Sequence, residues 1–226
     1  MESLNNIPQR TFAWMVQRLG FFTGSEVGKL MTTSRKKGET FGETAKSYIM
    51  KKMAERELID EVKTDEEVFN EYQYINSISS RAMQFGTEQE PLARKLIMRE
   101  LGETFEEVAS IPHPSIQFFS SSPDGLTPDK MLALEIKCPS IETFMQYRCH
   151  VKDGETLKAE NAIYYWQVMS HMTVTGAQKC VFVLFNPFLK KPLYYFIVER
   201  DDAAIKELEN RVVLANDYIS DYQFHL

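Results

Sequence analysis

The apolar positions of this chain change period along its length, and the changes mark out its elements. Near the N-terminus, Thr23-Gly24-Ser25-Glu26 reads as a capping box that opens a short helix running to about Met31. A polar, basic loop from Thr32 to Glu39 follows. Ala45, Tyr48, Ile49 and Met53 then recur at helical spacing through roughly Ile59. The stretch from Asp60 to Glu71 is acidic and poor in large apolar residues, which predicts exposure. A second capping box, Thr87-Glu88-Gln89-Glu90, starts a helix through Leu101 with Leu92, Leu96 and Ile97 on its apolar side. The period then becomes that of strands, at Ile116 to Ser122 and Met131 to Cys138. Between them lie the turn signals Pro123-Asp124-Gly125 and Thr127-Pro128-Asp129, and Pro139 stops the second strand. Helices are predicted at about Ile141 to Arg148 and Glu160 to Thr175, the latter closed by Gly176. Strands at Lys179 to Asn186 and Leu193 to Glu199 flank a turn at Pro187 to Pro192, and a helix from about Asp202 to Ile219 finishes the chain. Helices before and after a central sheet, with one crossing between strands, predict an α/β layer architecture in a single domain over residues 1–226.

Composition agrees with a packed core and removes several classes. With 43% apolar and 26% charged residues in 226, the chain is of globular type, neither disordered nor fibrous. It has no uncharged apolar run of about 18 residues, so no membrane span is expected. Met1 to Arg10 lacks the basic patch and apolar stretch of a secretory signal. Cys138, Cys149 and Cys180 cannot all pair and none sits in a CxxC, which argues for a reduced, cytoplasmic setting and against a thiolate metal site.

The segment richest in chemistry is Ser122-Pro123-Asp124-Gly125 followed by Leu134-Glu135-Ile136-Lys137-Cys138. Side chains alternate along a strand, so Glu135 and Lys137 point to one face while Leu134 and Ile136 point to the other. Asp124, in the connection before that strand, can reach the Glu135 face. Two converging carboxylates, with the Ile136 carbonyl as a further oxygen, suit Mg²⁺ or Mn²⁺ better than zinc. An ammonium at Lys137 can orient a water or stabilise charge developing on a phosphate, so the set suits metal-dependent phosphodiester hydrolysis. The bland alternative is an exposed hairpin with an ordinary Glu/Lys face and a favoured Pro-Asp-Gly turn. The net charge of −6, from 26 basic and 32 acidic residues, is not that of a typical DNA-binding domain. Phosphate binding needs only a local basic stripe, however, and a metal site brings its own carboxylates.

Pro123-Asp124 and Glu135-Ile136-Lys137 together resemble the PD-(D/E)xK nuclease signature. The flanking blocks Arg18-Leu19-Gly20-Phe21-Phe22-Thr23-Gly24-Ser25-Glu26, Phe85-Gly86-Thr87-Glu88-Gln89-Glu90, Ser121 to Leu126, Leu134 to Pro139 and, more weakly, Tyr164 to Val168 are similar to those of phage lambda-type exonucleases, the YqaJ-like viral recombinases. The resemblance implies a restriction-endonuclease-like core with a central mixed sheet flanked by helices. It also implies an Mg²⁺-dependent 5′→3′ exonuclease on linear duplex DNA, with two ions per site, that releases mononucleotides and leaves a 3′ single strand. A processive homotrimeric ring, a single-strand annealing partner and a phage or prophage origin follow from the same likeness. An endonuclease or junction resolvase on the same core, or an inactive DNA-end binding module, are the competing expectations.

By that resemblance Asp124 and Glu135 are metal ligands, Lys137 is the catalytic lysine, and Gln167 supports the active site. Glu90 matches a carboxylate near the second ion, although its place in a Thr-x-x-Glu pattern suits a helix cap equally well. Arg18, Ser25 and Ser122 match the holders of a terminal 5′-phosphate, against the plainer readings of a surface charge and helix-start chemistry. Arg35, with Lys36 and Lys37, would track DNA from a flexible loop, or simply be solvated. Met83 matches a wedge at the terminal base pair, or packs in the core. Tyr164 shares a helix face with Gln167 and is assigned to DNA binding, against aromatic packing. His171 continues that face and receives no role. The acidic stretch from Asp60 to Glu71 has no evident DNA role and is expected outside the channel or at a protein interface.

Overall fold

The computed structural model describes residues 7–34, 36–76 and 81–223. Its elements run α1 (Phe12–Gln17), β1 (Phe22–Thr23), α2 (Gly24–Val27) with a 3₁₀ turn at Gly28–Met31, α3 (Glu43–Arg56), α4 (Asp60–Thr64), α5 (Glu66–Asn76) and α6 (Arg81–Leu101). Then come β2 (Ile111–Pro112), β3 (Phe119–Ser121), β4 (Gly125–Leu126), β5 (Leu132–Lys137), α7 (Ile141–His150), α8 (Gly154–Glu160), α9 (Ala162–Thr175), β6 (Lys179–Phe185), β7 (Leu193–Glu199) and α10 (Asp202–Gln223).

The main sheet has the order β4-β5-β6-β7 and is mixed: β5 and β6 run parallel, and the outer pairs antiparallel. A parallel pair needs a crossover, and α7, α8 and α9 supply it. A smaller sheet, β1-β3-β2, lies beside it. Ser122-Pro123-Asp124 links β3 of one sheet to β4 of the other, so the Pro-Asp turn joins two sheets.

Alternation along the central strands divides the core. Leu134 and Ile136 of β5, with Val181, Val183 and Phe185 of β6, pack on Ala93 and Ile97 of α6. Ala133, Cys180, Phe182 and Leu184 pack the other way, with Val168, Met169 and Met172 of α9 and Leu208 and Val212 of α10. Every residue of α9 from Tyr165 to Thr173 is buried, as expected of a helix surrounded by sheet and helices. Gly176 ends it in the left-handed region, φ 79°.

Several sequence expectations need correction. The helix placed at Thr87 starts at Arg81, so Thr87 is interior and its hydroxyl donates to the Met83 carbonyl at 3.1 Å; no capping box forms there. Thr23 does cap α2, but its side chain makes no capping bond, and Glu26 pairs with Lys29 at 2.6 Å. The acidic stretch is helical and partly interior: Val62 and Phe69 are buried, and Phe69 meets Phe12 edge-on at 5.3 Å. Burial of one or two apolar residues per helix decided the structure there, against an otherwise charged sequence. The strand placed at Ile116 to Ser122 is β3 and begins only at Phe119, since Phe118 takes φ 54° and leaves the extended region. Helices α1 and α8 were not anticipated. In α8, a side-chain capping box between Asp153 and Thr156 supplies the start.

Candidate active site

Asp124 is fixed against β5 twice. Its backbone N–H donates to the Leu134 carbonyl at 2.9 Å, and its Oδ2 accepts from the Ile136 N–H at 2.6 Å. Strand β4 stops opposite Leu134, so Asp124 covers the edge that β4 leaves open. The N–H and C=O of one strand residue leave by the same edge, which directs the Ile136 carbonyl toward the same space.

Glu135 and Lys137 project from the α9 side of β5, as alternation requires. Glu135 Oε1 meets Lys137 Nζ at 2.6 Å and accepts from Gln167 Nε2 at 2.7 Å. Lys137 also donates to Gln167 Oε1 at 3.0 Å and lies 4.7 Å from the centre of the Tyr164 ring. The amide of Gln167 therefore joins the acid to the ammonium, oxygen to lysine and nitrogen to carboxylate. His171, which the sequence left without a role, completes the set: Nε2 meets Glu135 Oε2 at 2.6 Å and Nδ1 meets Ser121 Oγ at 2.7 Å. Its one signal was the spacing of four from Gln167 on a helix.

The electrostatics of the two acids differ. Burial pushes the Asp124 carboxyl well above the usual range, and the charges of Glu135 and Glu90 push it further. Burial also raises Glu135, but Lys137 and the bond from His171 outweigh it and pull this carboxyl down to about 2. Burial works against the Lys137 ammonium, yet Glu135, Tyr164 and Asp124 hold it above its ordinary value. The Cys138 thiol beside them is pushed up to about 12 by burial and by Glu90 and Asp124, so it offers no thiolate at neutral pH.

Glu90 stands mid-helix on α6, 6% exposed, where no cap is needed. It pairs with Arg94 at 2.8 Å and with Arg10, which no sequence pattern marked. Gln9 secures that N-terminal segment, donating to the Val108 and Pro123 carbonyls, each at 2.9 Å. Among the described residues no three acids, histidines or cysteines already stand together as a ligand set. The donor chemistry nevertheless fits a hard divalent ion: Asp124, Glu135 and the Ile136 carbonyl are oxygens, and the upward push on Asp124 marks a surplus of negative charge that such an ion would relieve.

Arg18 lies over the Trp14 ring at 3.9 Å and reaches Ser122 Oγ at 3.4 Å. Among the described residues no carboxylate forms an ion pair with it, and burial lowers its guanidinium to about 10. Helix α2 has only four residues, so Ser25 offers an anion its hydroxyl more than a helix dipole. Gly24 beside it cannot carry a side chain: a Cβ would lie 2.1 Å from Ser121 Oγ and 2.6 Å from Ser170 Oγ. Arg18, Ser25, Met83, Glu90, Ser122, Asp124, Glu135, Ile136, Lys137, Tyr164 and Gln167 all line one cleft of about 490 Å³, together with Arg10 and Trp14. Met83 is on its rim, 61% exposed, which removes the core-packing reading. Arg35 lies outside the described residues; its neighbours Lys36 and Lys37 are exposed.

The sequence profile of the YqaJ-like viral recombinase domain matches residues 13–178. The crystal structure of an alkaline exonuclease, LHK-Exo, from Laribacter hongkongensis is 30% identical, with 94% of each chain covered and a TM-score of 0.72. LHK-Exo in complex with dAMP gives 31%, 94% of each chain and 0.73. A phage related exonuclease from Haemophilus somnus 129PT shares the fold at 16% identity, covering 91% of this chain and 96% of that one with a TM-score of 0.67. No curated protein matches the chain. Nor is any helix among the described residues long and apolar enough to cross a membrane. On its sequence and its structure, the chain belongs to the YqaJ-like viral recombinase family.

Proposed function

We propose that this DNA exonuclease digests the 5′-ended strand of linear duplex DNA processively to mononucleotides, with Mg²⁺ or Mn²⁺, and leaves a 3′ single strand for recombination by annealing. The observation that carries the reading is the Ser122-Pro123-Asp124 link. It sets the Arg18 and Ser122 pair two residues from the acid that lies beside Glu135 and Lys137, within one cleft. A grip on a terminal phosphate that close to the hydrolytic groups suits a cut at the end of a strand. The dAMP bound to the relative LHK-Exo is a mononucleotide, which supports that product class.

Asp124, Glu135 and the Ile136 carbonyl would hold one ion, and Glu90 would face a second once Arg10 yields its place. Bound there, divalent ions supply Lewis acidity and a more acidic water. The chain's own residues do the rest. Lys137, held protonated among carboxylates, is placed to donate to a phosphate oxygen rather than to accept a proton. Gln167 and His171 keep the Glu135 carboxylate in one orientation, and Arg18 with Ser25 and Ser122 sets the register of the end. The same reading includes one nuclease domain over residues 1–226, a homotrimeric ring, a single-strand annealing partner, and a phage or prophage protein working in its host's cytoplasm.

End-labelled linear duplex and covalently closed circles separate this from an endonuclease. The linear substrate should shorten from its 5′ ends to labelled mononucleotides while circles survive; rapid loss of circles overturns the reading. Linear duplex left intact in both Mg²⁺ and Mn²⁺ overturns it as well.

A further inference from the structure

The turn between β6 and β7 carries features that hydrolysis does not use. It reads Asn186-Pro187-Phe188-Leu189-Lys190-Lys191-Pro192 and contains no acid. Asn186 gives it a defined shape: Oδ1 accepts from the Phe188 N–H at 3.1 Å, and the backbone N–H donates to the Pro192 carbonyl at 2.9 Å. The Asn186 Nδ2 donates to the Pro139 carbonyl at 2.9 Å, and Pro139 lines the catalytic cleft. Leu189 packs on the core beneath. Two prolines and these bonds make the turn a firm extension of the cleft rim.

Its exposed side chains form a patch. Phe188 is 75% exposed, although its ring stacks on Phe85 of α6 at 6.0 Å and 14°. A single exposed phenylalanine needs no explanation, but an exposed ring already stacked on a second aromatic ring presents a flat apolar face to another flat group. Lys190 and Lys191 beside it are exposed and form no ion pair among the described residues. Aromatic rings flanked by free cations, with no acid in the turn, match the two faces of a single strand: bases that stack and phosphates that need neutralising.

We propose that this turn is a docking site for single-stranded DNA, where a base stacks on Phe188 and Lys190 and Lys191 neutralise neighbouring phosphates. This rests on the DNA exonuclease reading and adds to it a seat for the strand left uncut. Within a duplex, stacking covers the base faces except at the end pair, so the stacking half of the site favours an unpaired strand.

The test is binding by the full chain in EDTA, where nothing is cut, to fluorescent oligo-dT and to a blunt hairpin duplex. Phe188→Ala should weaken oligo-dT binding about tenfold or more. Phe188→Trp should retain it, and Phe188→Leu, apolar without a ring, should not. Lys190→Gln with Lys191→Gln should lower the salt slope for oligo-dT by roughly 1.4, the value for two phosphates on a single strand. Duplex affinity should be unchanged in all, with melting temperatures near wild type. Unaltered oligo-dT binding in these variants while the wild type binds both probes overturns this site alone. Intact binding with a changed oligomeric mass also overturns it, and makes the patch a contact between copies. If the wild type binds neither probe, the DNA reading falls with it.

Discussion

Glu135 and Glu90 are both buried carboxylates facing the same cleft, and they are held in opposite ways. Glu135 sits mid-strand with its partners supplied by the same strand and one packed helix: Lys137, Gln167 and His171. Glu90 sits mid-helix between two arginines, one a turn away and the other eighty residues back in the chain. The first acid is part of the sheet's own geometry, and the second is assembled by long-range packing. A carboxylate whose neighbours are hydrogen-bonded to it in several directions cannot turn, whereas one balanced in part by a half-exposed arginine, Arg10, can exchange it for another cation.

If that contrast is right, damage to the strand-borne set should cost the most. Lys137→Ala removes the cation that meets Glu135 and faces Asp124, and hydrolysis of 5′-phosphorylated linear duplex should fall by at least about 100-fold. DNA binding measured in EDTA should survive. A variant that still digests duplex at near wild-type rate would take Lys137 out of the chemistry.

A smaller effect is expected one step back. His171 touches Glu135 and Ser121 but does not itself line the cleft, so His171→Ala should act by loosening the carboxylate. Groups that orient metal ligands typically cost 10- to 100-fold in affinity or activity on removal, and about that loss is expected in both rate and Mn²⁺ affinity by calorimetry. His171→Gln, which can still donate to Glu135, should recover part of both. A lower melting temperature with unchanged rate and Mn²⁺ affinity would reduce His171 to a packing residue.

Asp124 lies between the two acids and feels both. Its folded carboxyl binds a proton more tightly than the unfolded one, so the linked stability is fully present below about pH 4. It is lost as pH rises through the elevated folded value. Asp124→Asn does not titrate and can still accept from Ile136. In EDTA, then, its melting temperature should rise relative to wild type as pH increases from 5 to 8, by a few degrees for a chain of this size. Mg²⁺ should raise the wild type's melting point and leave the variant's nearly unchanged. A difference that stays flat across this pH range would mean that the surplus charge is relieved some other way.

The same contrast governs what could be read from the sequence. Alternation along β5 placed Glu135 and Lys137 opposite Leu134 and Ile136, because a period of two survives whatever packs around the strand. Gly176 announced the end of α9, since a left-handed residue there favours glycine. Thr87-x-x-Glu90 misled because a capping box is only local chemistry: with Arg81 to Gly86 already helical, the threonine hydroxyl bonds back to Met83 instead. Helix α1 and Arg10 were invisible because what holds them is distant, with Phe12 on Phe69 and Arg10 on Glu90. His171 was legible as a helix position but not as a partner of Glu135, since the register of α9 on β5 is a tertiary fact.

The smallest expected effect tests the assembled half. Arg10 is 41% exposed at its side chain and pairs with a nearly buried acid, so its removal should leave the fold intact. Glu90 would keep Arg94 but lose the charge that competes most directly with an incoming ion. Arg10→Gln should therefore tighten Mn²⁺ binding a few-fold by calorimetry, about 1 kcal/mol or less. Glu90→Gln should weaken it, and the double variant should behave like Glu90→Gln alone, because Arg10 has nothing to compete for once the carboxylate is gone. Additive effects in that cycle would place Arg10 and Glu90 on separate tasks, and Glu90 would then belong to the scaffold rather than to the ion.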